Sequence, residues 1–178
     1  MSELIERSQL EEAFRRVAAE LKREGIGGDI YIFGGAAMVL AFNAREATRD
    51  VDALFEPREK IHRIALSVAQ ELGMPSWWLN DQASSYLPRR RDEKARLIFD
   101  HPHLRVSVVS PEHLLAMKAM AARTYADLDD IATLCTHLEV TEVTDVAALC
   151  ARIYPEEPLT ARARLVIEDV LDRLRQGQ

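Results

Sequence analysis

Residues 29–33, DIYIF, are an apolar, strand-forming run that is broken by Gly34-Gly35 and followed at once by the helix-forming segment AAMVLAF. Strand, glycine turn and helix in succession make a phosphate-binding geometry, because backbone N–H groups at the start of a helix can hold an anion. The next strand-like run, TRDVDALF at residues 48–55, carries Asp50 and Asp52 one residue apart. Positions i and i+2 of a strand share a face, which sets the two carboxylates roughly 7 Å apart at the backbone.

Like charges so placed repel, and without compensation the repulsion raises one carboxyl pKa and weakens the fold. A divalent cation removes that penalty. Mg²⁺ (or Mn²⁺) favours a few carboxylate oxygens completed by substrate phosphates, so a D-x-D strand beside a glycine turn supplies both halves of a metal–nucleoside triphosphate site. Asp50 and Asp52 are the expected metal ligands, and Gly34 and Gly35 the expected phosphate cradle.

The rest of the chain surrounds this core with helices. SQLEEAFRRVAAELKREG has apolar residues at helical spacing, opens on a capping-box pattern of Ser8 and Glu11, and closes at Gly25. A second amphipathic helix is expected over 58–73, ended by Gly73, and an ordered loop with a short helix over 74–88. Residues 95–99 and 104–109 read as strands joined by a DHPH turn, and helices are expected at 111–123, 127–139, 143–153 and 160–175. The expected fold class is α+β: a small mixed sheet flanked by helices in residues 1–110, with a helical C-terminal part in 111–178 of the same domain.

With 178 residues the chain suits one domain, and no apolar run approaches the roughly 20 residues that cross a bilayer. The polar, acidic start MSELIERSQLEE is unlike a signal peptide, so a cytoplasmic location is expected. Cys135 and Cys150 lie in helical apolar patterns without metal-ligand spacing and read as buried thiols. A net charge of −6 argues against a nucleic-acid coat protein and leaves room for a local basic patch such as Arg89–Arg91 with Lys94 and Arg96.

The run FGGAAMVLAFNAREATRDVDALF resembles the signature of the polymerase-β-type nucleotidyltransferase superfamily. Fourteen residues separate Gly35 from Asp50, a spacing similar to that of the AbiEii-like branch, in which an Arg or Thr precedes the D-x-D as Arg45 and Thr48 do here. SPEHLLAMKAMAARTYADLDDIATL resembles that branch's downstream motif, and WWLND at 77–81 resembles a motif of a related group. The resemblance implies an NTP-dependent transferase. Its nucleotide-binding residues would be Gly34, Gly35, Thr48, Arg49, Lys118, Arg123 and Asp127, with Lys118 on the triphosphate and Asp130 or Asp127 as base or positioning group. It further implies an acceptor hydroxyl on a protein or an RNA, tRNA included, and a cognate toxin or antitoxin as partner.

Two positions depart from the pattern. Ala36 stands where family members carry Ser or Thr, and Ser107 where polymerase-like members carry a third carboxylate; Asp100, the nearest spare acid, is expected in a turn. Both departures support an alternative, a nucleotide-binding or interaction module without turnover. Plainer roles also stand beside the functional ones: Lys118 as a surface helix lysine, Asp127 as a helix N-cap, Trp77 and Trp78 as sheet-edge packing.

Overall fold

Glu6, rather than Ser8, caps the first helix. In the computed structural model, which describes residues 4–122 and 125–177, β1 (Ile5–Glu6) runs directly into α1 (Arg7–Glu24). Glu6 and Gln9 bond each other's backbone N–H groups, and Gly25, in the left-handed region at φ 67°, closes the helix. The helix begins two residues earlier than the Ser8 pattern suggests because the N-cap must be extended, and β1 supplies an extended residue by pairing antiparallel with β3 (Ala47–Thr48).

The described residues cluster in two compact units: residues up to Ser85 with Ala95–Val109, and Tyr86–Lys94 with Ser110–Gln178. The first holds the sheet. Besides β1, α1 and β3 it contains β2 (Gly28–Phe33), α2 (Gly34–Leu40), β4 (Val51–Glu56), α3 (Arg58–Leu72), β5 (Leu79–Asn80), a 3₁₀ turn at Gln82–Tyr86 that runs into the second unit, β6 (Arg96–His101) and β7 (Leu104–Val108). The five-stranded sheet has the order β5-β4-β2-β7-β6, with β2 antiparallel to β4 and parallel to β7. It is mixed, as the sequence suggests, and β5 is an addition to the expected loop at 74–88.

Alternation decides which face is covered. Ile30, Ile32, Ala53, Phe55, Val106 and Val108 are buried, and α1 and α3 pack over that side with Leu10, Phe14, Val17, Leu21, Ile61, Ile64 and Val68. Asp52, Leu54, Tyr31, Ser107 and Arg105 belong to the opposite face, where Leu54 is 45% exposed. A register shift between Leu97 and Phe99 aligns Phe99 with buried Val106, so that Phe99 meets Phe14, and alternation sets Asp100 opposite Arg105 on the other face. Asp100 is thus a strand residue, and the turn is confined to Pro102 and His103.

The second unit is built from α4 (Pro111–Ala121), α5 (Tyr125–His137), α6 (Val143–Ile153) and α7 (Ala161–Gln176). Ser110 caps α4 by accepting from His113 N at 3.3 Å, and Thr160 caps α7 by accepting from Ala163 N at 3.1 Å. Leu114, Leu115, Ile131, Leu134, Val146, Ile153, Ile167 and Val170 form its core. Cys135 and Cys150 are buried in it as free thiols, and burial pushes both up to about 11. Native protein should therefore react with a disulfide reagent at pH 8 roughly a hundredfold more slowly than unfolded protein, since the thiolate is the nucleophile. Fast reaction of both thiols in the native state contradicts this packing. Among the described residues no helix is long and apolar enough to cross a membrane.

Candidate functional site

Gly34 is where β2 gives way to α2, and its backbone takes φ +67°, a region that disfavours a side chain. Asp52 is the cross-strand partner of Phe33, so its carboxylate reaches the turn, and Oδ2 lies 3.0 Å from where a Cβ on Gly34 would stand. Around Gly35 the nearest groups to such a Cβ are Thr48 Oγ1 at 3.4 Å and Arg45 Nη1 at 3.7 Å. Gly34, with its positive φ and the Asp52 carboxylate against it, is the position of the pair that disfavours a side chain, whereas a Cβ on Gly35 would make ordinary contacts. The C-terminal carbonyls of short α2 are taken up by arginines: Arg7 donates to Val39 O and Arg96 to Ala41 O. Gly34→Ala should destabilise the protein by about 1–2 kcal/mol and displace the Asp52 carboxylate. A variant with wild-type melting speaks against that contact.

Asp50 stands just before β4. Thr48, 7% exposed, donates its hydroxyl to Asp50 O at 3.0 Å and shapes the turn that delivers the acid. Asp50 Oδ2 accepts from Asn80 Nδ2 at 3.0 Å, and among the described residues no other hydrogen bond or ion pair reaches this carboxylate. Of the expected nucleotide-binding residues, the structure brings Gly34, Gly35 and Thr48 together with Asp50 and Asp52, whereas Arg49 is exposed and Arg45 is the arginine beside Gly35. Ala36 is buried in α2.

Ser107 pairs with Tyr31, two residues before the partner of Asp52, so it occupies the open face of β7, and its hydroxyl donates to Ile30 O at 3.5 Å. Among the described residues no group of three or more His, Cys, Asp or Glu is arranged to hold a metal. The donor set that fits a cation is the pair Asp50 and Asp52: two carboxylates at the start of β4, one seated against Gly34, where a Cβ would stand 3.0 Å from its Oδ2, the other with an oxygen still open.

In the second unit Lys118 Nζ lies 3.1 Å from Asp127 Oδ1 and 2.8 Å from Asp130 Oδ2, and Asp130 is buried. Helix α5 starts at Tyr125, so Asp127 belongs to its first turn and is not its N-cap; the lysine and the two acids form one ion triad. Arg123 lies outside the described residues. The basic run makes local contacts: Arg89 pairs with Glu156, Arg90 donates to Arg152 O, and Lys94 pairs with Glu112. Asp92, Ser110 and His113 come together as well, but Ser110 is 1% exposed and its hydroxyl caps α4, so the group is a helix-start device and not a nucleophile.

Asn80 is the site residue that motif spacing does not mark. The signal lies in WWLND. Trp78 is fully buried, donates Nε1–H to Ala65 O at 3.0 Å and packs 6.0 Å from Phe14, while Trp77 is 53% exposed. Two residues beyond the anchored indole, Asn80 aligns in parallel register with Asp52.

A family model described as "Nucleotidyltransferase of unknown function (DUF6036)" matches residues 8–165. The chain belongs to this nucleotidyltransferase family. No curated protein and no solved structure matches it.

Proposed function

We propose that the protein is a cytoplasmic, Mg²⁺- or Mn²⁺-dependent nucleotidyltransferase that moves an NMP from an NTP to a hydroxyl of a protein or an RNA, within a toxin–antitoxin or phage-defence system of the AbiEii-like kind. The observation that carries the reading is the Asp52 carboxylate seated on Gly34, with Asp50 two residues before it. Asp50 and Asp52 hold the cation, which when bound supplies charge neutralisation for the triphosphate. Gly34 and Gly35, lacking side chains, let phosphate oxygens approach the backbone, and Arg45 adds positive charge beside Gly35. The acceptor oxygen bonds to the α-phosphorus, the α–β bridging bond breaks, pyrophosphate departs and the hydroxyl proton passes to a carboxylate base. Positioning and charge compensation account for the acceleration. The family resemblance supports Lys118 as a triphosphate cation and Asp130 or Asp127 as the base; their triad keeps the lysine ordered.

Purified protein with Mg²⁺ and each α-³²P-labelled NTP, with and without total RNA and cell lysate, tests the reading. Label on RNA or protein with wild type, and none with the Asp50→Ala, Asp52→Ala double variant, supports it. NTP binding without label in any lane favours the second reading, a nucleotide-binding or antitoxin-like interaction module, whose specific support is Ser107 at the third strand position.

A further inference from the structure

We infer that Asn80 is a positioning residue of the cation site: its side-chain amide holds one oxygen of Asp50 so that the other faces the metal. The inference rests on the transferase reading above and adds a residue to it. Three observations carry it. Asn80 Nδ2 donates to Asp50 Oδ2 at 3.0 Å, while Asn80 Oδ1 accepts from Gln82 N at 3.1 Å. The second bond settles which end of the amide faces which way, since only the NH₂ group can donate to a carboxylate. The backbone is equally determined, because β5 lies in register with β4, Val51 against Leu79 and Asp52 against Asn80, and Val51 N donates to Trp78 O at 2.6 Å.

The consequence for Asp50 is geometric and electrostatic. A carboxylate with one oxygen committed to a neutral donor offers a single oxygen to a cation, in a fixed direction, and the donated hydrogen bond spreads its negative charge away from Asp52. A neutral amide does this without adding a third anion to the D-x-D pair. An aspartate at the same place reverses the interaction, putting an acceptor 3.0 Å from an acceptor.

Two variants separate positioning from support of the fold. Mn²⁺ alone is titrated into wild type, Asn80→Ala and Asn80→Asp by electron paramagnetic resonance, and each protein is melted with and without Mn²⁺. Asn80→Ala should weaken Mn²⁺ binding about tenfold, the scale of outer-shell partners of metal ligands. Asn80→Asp should melt lower than wild type without metal and gain more from Mn²⁺ than wild type does, because the ion offsets a three-acid cluster. A purely structural asparagine lowers melting in both variants and leaves the Mn²⁺ affinity of Asn80→Ala at the wild-type value; that result overturns the inference and spares the transferase reading. Absence of Mn²⁺ binding by wild type overturns both.

Discussion

On the proposed transferase reading, Asp52→Asn should lower nucleotide transfer by roughly a thousandfold with the fold intact. Asparagine keeps the shape against Gly34 but removes the charge that a cation needs, and the loss of one charged group from a preorganised site is worth about 3–4 kcal/mol in the barrier. Stability should change by no more than about 1 kcal/mol, since removing one of two like charges relieves repulsion with Asp50. The measurement is label transfer beside a urea melt of the same preparation. Full transfer by a folded Asp52→Asn protein removes the cation from the mechanism, whereas loss of folding leaves the Asp50 variants to carry the comparison. Asp50→Asn should act in the same direction, because Asp50 is the only other acid of the pair.

Trp78→Ala should be the most destabilising single change in the sheet unit. The indole is fully buried, so the cavity and the lost transfer energy cost about 3–5 kcal/mol, and Ala65 O loses its donor. In a chain of this length the melting temperature falls by roughly 10 °C. Trp77→Ala is the internal control: half-exposed, it should change stability by about 0.5 kcal/mol at most. Equal effects of the two substitutions contradict the placement of Trp78. Because Trp78 anchors the strand that carries Asn80, the variant should also bind Mn²⁺ less tightly at temperatures where it is still folded.

Periodicity made most elements legible in the chain itself. The helices at 58–73, 111–123, 143–153 and 160–175 appear within two residues of their expected ends, because amphipathic spacing and glycine or serine boundaries are local signals. The acid pair and the glycine turn were legible for a similar reason, since a positive-φ turn needs glycine and two adjacent acids need a compensating partner, but Asp50 precedes β4 where the pattern places both acids in one strand. The family match, over residues 8–165, includes this segment.

Pairing partners were not legible. Strands β1, β3 and β5, two residues each, carry too little pattern to announce themselves, and they exist because long-range backbone bonds close on them. The replacement of Ser8 by Glu6 as the helix cap follows from β1 in the same way. The site shows the same division. Local chemistry in the chain determined that two carboxylates stand beside a glycine turn. Only the tertiary structure decided that Asp52 closes on Gly34, that Arg45 and not Arg49 faces Gly35, that Lys118 sits between Asp127 and Asp130, and that Asn80 reaches Asp50 from 30 residues away. Sheet register places those side chains together, and register is a property of strands that are distant in sequence.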